Sequence, residues 1–260
     1  MLMSDLKNTL DYEITFETKC WEGDWEFLLK TDYLKNMIER NTIQFTHKIL
    51  FINNVTNLQL VKLYANKLID EKVIDKYYVV ADYEDEVLNF FELTKSDFKG
   101  GYYYSIAELT SIYLCNTEFL LHYSSDAILC KKTDWINDAI LELRQNPKIV
   151  VANPCWNNKF HKAKKESISE LDKFYLGYGF SDQAYLIRTN DFRKNIYKEY
   201  NALSERYPKY GGELFEKRVD AWMRNDNLYR ITHKEISYIH QNFPKNKWLR
   251  KLKMWWLTNA

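Results

Sequence analysis

The sequence lacks several features that would assign it directly to a protein class. Its four cysteines (Cys20, Cys115, Cys130 and Cys155) form no C-x-x-C pair, so free thiols are expected rather than a zinc knuckle or a redox motif. No apolar run reaches the length of about 18 residues typical of a membrane-spanning helix. The N-terminal segment is polar and has no signal-peptide core. These absences favour a soluble, cytoplasmic protein.

The charge balance argues against a dedicated nucleic-acid-binding protein. The formal net charge is +1, with 37 Lys and Arg against 36 Asp and Glu. A dedicated nucleic-acid binder needs a basic excess to neutralise phosphates, so no nucleic-acid partner is expected. Hydrophobic residues make up 46% of the 260 residues, which is enough for one large domain with a sizeable core.

Strand-like and helix-like segments alternate through the first half of the chain. Apolar and β-rich runs predict strands at Glu13–Thr18, His47–Ile52, Lys76–Ala81, Phe119–Tyr123 and Lys148–Ala152. Apolar spacing and capping signals predict helices at Asp32–Arg40, at Leu58–Asp70, at Ser105–Cys115, and from Thr133 or Asp134 to before Pro147. Such alternation predicts an α/β fold, a mostly parallel central sheet flanked by helices.

The second half has a weaker pattern. Residues 153–165 are polar and basic and predict a loop that covers a ligand, and Tyr185–Arg188 predicts a strand. A helix is predicted from Glu213 to about Arg224, with Phe215, Val219, Trp222 and Met223 on its buried face. Glu235–His240 predicts a final strand.

Polar side chains follow the predicted strands where a parallel sheet binds its ligands. Parallel sheets bind ligands beyond the carboxyl ends of their strands. The residues at those ends are Thr18–Trp21, Asn53–Asn54, Asp82–Tyr83 and Ser124–Asp126. Their convergence predicts a binding site at this edge of the sheet.

With Ser124-Ser125-Asp126 at the end of the fourth strand, the order of elements resembles nucleotide-sugar glycosyltransferases of the GT-A fold, particularly small, family-2-like bacterial or viral ones. In that fold a strand ends in a D-x-D motif that holds a divalent metal and the donor diphosphate. Here the fourth strand ends in Ser124-Ser125-Asp126, so Ser124 replaces the first acid. The resemblance covers roughly residues 12 to 240. It implies a Rossmann-like sheet with a smaller acceptor-side region.

The resemblance also implies roles for individual residues. Asp126 and His240 are the expected ligands of Mn²⁺ or Mg²⁺, since one or two carboxylates with phosphates and water can hold such an ion. Nucleotide contacts are expected from Thr18, Cys20, Trp21, Asn53, Asn54, Asp82, Tyr83, Ser124 and Ser125. Glu213 is the preferred general base, with Asp182 and Asp220 as further catalytic candidates; Glu216, on the same helical face as Asp220, is a fallback base.

The implied reaction is metal-assisted, inverting transfer of a hexose-type sugar from a nucleoside diphosphate sugar, with UDP favoured. The acceptor would be a saccharide or a lipid-linked glycoconjugate, as in polysaccharide biosynthesis. Two other functions stay open: a sugar nucleotidyltransferase, and a non-catalytic carbohydrate-binding or scaffold protein. The segment after the first strand, residues 18–23, has a single glycine, which disfavours the phosphate loop of a nucleotidyltransferase.

The expected organisation is a GT-A domain over residues 1–244, followed by a C-terminal helix over residues 245–260. The nucleotide-binding half would span residues 1–130 and the acceptor half residues 131–244. Within the C-terminal segment, Lys245–Leu257 combines Trp248, Leu252, Trp255 and Trp256 on one helical face with basic neighbours. That pattern is typical of a helix lying on an anionic membrane, so peripheral membrane contact is expected; a dimer contact and docking on the protein's own body stay open.

Overall fold

The computed structural model describes residues 11–207, 212–241, 248–249 and 252–253. Within these residues, ten strands form one sheet: β1 (Ile14–Cys20), β2 (His47–Ile52), β3 (Lys76–Val79), β4 (Phe119–Tyr123), β5 (Ala127–Leu129), β6 (Ile149–Trp156), β7 (Ser167–Glu170), β8 (Phe174–Gly177), β9 (Ala184–Arg188) and β10 (Tyr229–His240). The helices are α1 (Trp25–Lys30), α2 (Tyr33–Glu39), α3 (Leu58–Asp70), α4 (Glu84–Phe90), α5 (Tyr102–Leu114), α6 (Ile136–Gln145), α7 (Phe160–Glu166), α8 (Thr189–Phe192) and α9 (Phe215–Asn225). Short 3₁₀ turns cover Val80–Asp82, Lys95–Phe98 and Ala202–Arg206.

The sheet is mixed, and its central part is mostly parallel. Its strand order is β3-β2-β1-β4-β9-β6-β10-β8-β7, and β5 pairs with β10. Neighbouring strands are parallel from β3 to β4 and between β6 and β10, whereas β9 runs antiparallel between β4 and β6. The carboxyl ends of β1, β2, β4 and β6 therefore lie at one edge, together with the start of β9. This confirms the predicted α/β architecture.

The core lies on both faces of this sheet. On β4, Phe119, Leu121 and Tyr123 pack on the face covered by α1, α2, α3 and α6, while Leu120 packs on the opposite face. The opposite face is covered by α5 and α9. The predicted buried face of α9 is confirmed, since Phe215, Val219, Trp222 and Met223 are all buried there.

Helix α3 shows how local signals set an element. Its bounds are those predicted, because buried Val61, Ala65 and Leu68 recur every three or four residues. The side chain of Asn57 accepts a hydrogen bond from the backbone N–H of Leu60 (3.1 Å), which caps the first turn.

Three local predictions were wrong. Helix α5 begins at Tyr102, so Ser105 lies inside it, where its hydroxyl donates to the Gly101 carbonyl (2.9 Å) and accepts from the Phe215 N–H (2.9 Å). The predicted loop over residues 153–165 contains the end of β6 and helix α7. The last strand begins at Tyr229 rather than at residue 235, because residues before its bulge pair with β6 and β8.

The predicted amphipathic segment Lys245–Leu257 lies outside the described residues, apart from residues 248–249 and 252–253. Its membrane contact stays a prediction. Within the residues that the structure describes, there is no helix both long enough and apolar enough to cross a membrane.

Candidate active site

A cavity of about 630 Å³ opens at the carboxyl edge of the sheet. Eight of the sequence-predicted site residues line it: Cys20, Trp21, Asn53, Asn54, Ser124, Ser125, Asp182 and His240. Five other lining residues were not predicted: Lys19, Glu22, Tyr103, Tyr104 and Gln183. Strand ends that are distant in the sequence therefore meet around one space.

The parallel pairing of β1 and β2 brings the first two strand ends together. The backbone N–H of Asn53 donates to the Cys20 carbonyl (2.9 Å), and that of Glu22 donates to the Asn54 carbonyl (3.2 Å). Asn54 has a φ of 50°, a left-handed conformation that asparagine tolerates better than most residues. The Asn53 side chain donates to the backbone carbonyl of Tyr103 (3.2 Å), which joins these strand ends to the start of α5.

Asp126 and His240 face each other beside this cavity. The His240 Nε2 atom lies 3.0 Å from Asp126 Oδ1, and the Ser124 hydroxyl donates to the same oxygen (3.2 Å). Antiparallel pairing of β5 with β10 aligns Ala127 with His240, which places the two side chains together although 114 positions separate them. Their side chains are 15% and 20% exposed, so the pair is reachable from the solvent.

The pair fits part of a divalent-metal site. Carboxylate oxygen and imidazole nitrogen are both donors for first-row divalent ions. The described residues contain no cluster of three or more His, Cys, Asp or Glu able to hold a metal. Asp126 and His240 therefore supply two protein ligands at most within this part of the chain, and the remaining positions would fall to phosphate and water.

The buried carboxyl group of Asp24 contacts the Ser124–Asp126 turn. Asp24 is 4% exposed, accepts from the Trp21 N–H (2.9 Å), and accepts a short hydrogen bond from the Ser125 hydroxyl. Burial raises the pKa of Asp24 to about 7, and the nearby Asp126 carboxylate raises it further in the same direction. Asp24 thus joins the turn after β1 to the turn after β4. The sequence carries no signal for this role, since Asp24 reads as an ordinary turn residue.

Lys19 supplies a cation to the same cavity. Its ammonium group forms an ion pair with Glu108 of α5, whose side chain is fully buried. Burial lowers the pKa of Lys19, against the opposing effect of nearby acids such as Asp182. Lys19 lies within the segment Thr18–Trp21 at the predicted end of the first strand, but the sequence carries no signal for its individual role.

The three catalytic candidates lie in different surroundings. Asp182 lines the cavity. Glu213 forms ion pairs with Lys217 (3.2 Å) and Arg218 (3.5 Å) and is not among the lining residues. Asp220 is fully buried and accepts hydrogen bonds from Ser204, Arg224 and Arg206. The structure brings only Asp182 of this set to the cavity.

Glu216, the second residue of α9, interacts electrostatically with Asp182. Burial raises the pKa of Glu216 to about 9, and the charge of Asp182 adds to this effect. Glu216 lines a second cavity of about 470 Å³, and Gln183 lines both cavities. Asp182 and Glu216 therefore form an acid pair between the two spaces.

Three predicted nucleotide contacts lie elsewhere. Thr18 is fully buried and donates to the Tyr123 carbonyl (2.7 Å). Asp82 and Tyr83 follow β3, the edge strand, and the Tyr83 ring packs edge-on against Tyr78. None of the three lines the cavity at the end of β1. Asp82 and Tyr83 follow a strand that lies two positions away from β1 in the sheet.

Three solved structures align with this chain. A crystal structure of GalNAc-T7 with UDP, GalNAc and Mn²⁺ aligns with a TM-score of 0.56 and 8% identity, covering 90% of this chain and 44% of that one. Apo mouse xyloside xylosyltransferase 1 aligns with a TM-score of 0.44 and 14% identity, covering 84% and 82% of the two chains. S. aureus TarS aligns with a TM-score of 0.47 and 12% identity, covering 95% and 40%.

The first alignment supports the fold, since its TM-score is the highest of the three. The chain spans less than half the length of that GalNAc-T7 chain, at 44%. No protein-family model matches the sequence, and no curated protein sequence is significantly similar to it. The chain has the GT-A fold.

Proposed function

We propose that this protein is a glycosyltransferase that moves a sugar from a nucleoside diphosphate sugar, with UDP favoured, to a hydroxyl group of a saccharide or glycoconjugate. One observation carries the proposal: the Asp126–His240 pair lies beside the cavity at the carboxyl ends of β1, β2 and β4. In a GT-A fold, that position is where donor diphosphate and metal are expected. The presence of UDP and Mn²⁺ in the GalNAc-T7 structure supports the choice of donor and ion.

The nucleoside would occupy the side of the cavity formed by β1, β2 and α5. Trp21 is 51% exposed there, so its ring is available to stack on a base. The amide groups of Asn53 and Asn54 offer both donors and acceptors to the base or ribose. Tyr103 and Tyr104, at 61% and 60% exposed, add two further aromatic faces on the opposite wall.

The diphosphate would lie toward β4 and β10. Asp126 and His240 would hold Mn²⁺ or Mg²⁺, whose positive charge stabilises the nucleoside diphosphate as it leaves. Ser124 and Lys19 would donate hydrogen bonds to phosphate oxygens from the two strand ends. In this arrangement His240 would supply the second protein ligand, in place of the first acid of a D-x-D motif.

Proton transfer would fall to Asp182. As the acceptor oxygen bonds to the anomeric carbon and the bond from that carbon to the phosphate oxygen breaks, Asp182 would take the acceptor's proton. The raised pKa of Glu216 leaves a protonated carboxyl group beside Asp182 at neutral pH. Glu213 and Asp220 have no part in this proposal, because their carboxylates are engaged in ion pairs outside the cavity.

A donor-hydrolysis screen tests the proposal. UDP-, GDP- and CMP-sugars are incubated with the protein, with and without Mn²⁺, and release of the nucleotide is measured. Turnover of a UDP-sugar that needs Mn²⁺ and is lost in Asp126→Ala is expected. The matched control is Asp226→Ala, since Asp226 is an exposed acid at the end of α9.

Three results would contradict the proposal. Near-wild-type turnover in Asp126→Ala would remove Asp126 from the site. Preference for a nucleoside triphosphate would favour nucleotidyl transfer, and absence of any nucleotide binding would favour the scaffold.

A further inference from the structure

The second cavity, of about 470 Å³, adjoins the proposed donor site. Gln183 lines both spaces, and its side-chain carbonyl accepts from the Tyr238 hydroxyl (3.1 Å). Glu216, the neighbour of Asp182, also lines the second cavity. A molecule bound there would therefore reach the proposed proton acceptor from the side opposite the nucleotide.

This cavity contains a buried arginine whose charge is poorly neutralised. Arg230 of β10 is 9% exposed, and its Nε atom has no hydrogen-bond partner among the described residues. Its ion-pair partner is Glu166, at 4.0 Å and with a 48% exposed side chain, which is a weak partner in water. Burial lowers the pKa of Arg230, yet a guanidinium group stays protonated in proteins. A buried cation with so weak a partner is costly, so the site favours an anion.

A second guanidinium group comes to the same place. A methyl group at Gly179 would lie within 3.4 Å of both Arg206 Nη2 and Arg230 Nη1, so the two side chains converge on one point. Gly179 has a φ of 109°, a conformation that favours glycine and leaves this point open. Without an anion between them, the two positive charges repel each other.

The acids nearby do not cancel these charges. Arg206 lies 3.5 Å from Asp220, but that carboxylate is held more closely by Arg224 (2.9 Å) and Ser204 (2.6 Å). Glu216 has its pKa raised to about 9, so it is mostly neutral at pH 7. Among the described residues, the acid that pairs with Arg230 is Glu166, whose side chain is half-exposed.

We propose that this second cavity binds an acidic group, carboxylate or phosphate, on the acceptor saccharide, held by Arg206 and Arg230. The planar fork of a guanidinium group matches both oxyanions with paired hydrogen bonds. Trp156 and Tyr207 also line the cavity and offer apolar surface to the faces of a sugar ring. That the bound saccharide is the acceptor rests on the proposed function. The acceptor class is then a uronic acid or a sugar phosphate.

Binding of three probes tests the inference. Glucuronate, glucose 6-phosphate and glucose are titrated into the full chain, followed by saturation-transfer NMR. At least one anionic probe is expected to bind about tenfold more tightly than glucose, because charge-assisted hydrogen bonds replace neutral ones. The stronger of the two anionic probes identifies the oxyanion.

Variants localise the effect. Arg206→Gln, at a half-exposed position, should reduce the preference for the anion to about threefold or less. Arg230→Lys keeps the charge but loses the fork, and should also reduce it. Arg144→Gln removes a surface arginine paired with Glu118 and should leave the preference unchanged. If Arg230→Lys fails to fold in a thermal melt, Arg206→Gln carries the test.

Equal binding of glucose and both anions, or a preference that survives in both variants, would overturn the inference. A parallel titration with UDP and Mn²⁺ separates it from the proposed function. Nucleotide binding without anion preference refutes the acidic acceptor alone. Anion preference without nucleotide binding refutes the glycosyltransferase and leaves the oxyanion site in place.

Discussion

Removing the Asp220 carboxylate should destabilise the fold rather than act on the chemistry. This side chain is fully buried and accepts from Ser204 (2.6 Å) and Arg224 (2.9 Å), with Arg206 at 3.5 Å. Asp220→Ala leaves Arg224 without its closest partner, and breaking a buried pair in this way costs about 3–5 kcal/mol. Asp220→Asn keeps the shape and one acceptor oxygen, so a smaller loss of about 1–3 kcal/mol is expected.

Thermal and urea unfolding measure this loss. At about 2–4 °C per kcal/mol for a domain of this size, Asp220→Ala should lower Tm by about 10 °C. Asp226→Ala, on an exposed acid at the end of the same helix, should change stability by less than about 0.5 kcal/mol. Wild-type stability in Asp220→Ala, combined with lost turnover, would refute the structural role and return Asp220 to the catalytic candidates.

Three further predictions concern the site and its support. The pKa of Asp24 is raised to about 7 in the folded protein, so the folded protein keeps a proton on Asp24 that the unfolded chain releases. The stability that this protonated carboxyl group contributes is present near pH 4 and is lost as the pH rises to 7. Between pH 5 and pH 8, the free energy of unfolding measured in urea should therefore decrease less in Asp24→Asn than in wild type. An equal decrease in the two proteins would contradict this pKa. Trp21→Ala should weaken UDP binding by about tenfold, as expected for loss of one stacked base, without changing Tm; unchanged UDP affinity in calorimetry would remove Trp21 from the site. Ser105→Ala should cost about 1–3 kcal/mol in urea unfolding, because the buried N–H of Phe215 loses its acceptor; a cost near zero would contradict this link between α5 and α9.

The fold could be predicted well where the signal is local. The apolar spacing of α3 and the apolar run of β4 predict where these two elements begin and end. The alternation of strands and helices predicts the parallel sheet. The predicted start of α5 was wrong because Ser105, followed three residues later by Glu108, resembles a capping box. In the structure both side chains face inward, where Ser105 contacts α9 and Glu108 contacts Lys19. Such tertiary partners override a local capping signal.

The site could be predicted only in part, because it depends on which strand ends meet. Asn53 and Ser124 were found from their positions after central strands. Lys19 was not, since its partner lies on a distant helix. The contact between Asp126 and His240 depends on β5, a strand of three residues that is too short to give a sequence pattern. Charges that converge through long-range pairing, such as Arg206 with Arg230, also leave no local trace.

Calorimetric titration of UDP, with and without Mn²⁺, tests the central claim most directly. Wild-type protein and Asp226→Ala should bind UDP more tightly when Mn²⁺ is present. Asp126→Ala should lose that enhancement while it keeps the weaker, metal-independent binding, because Trp21, Asn53 and Asn54 are unchanged. Equal enhancement by Mn²⁺ in Asp126→Ala and wild type, or no UDP binding in either, would contradict the account.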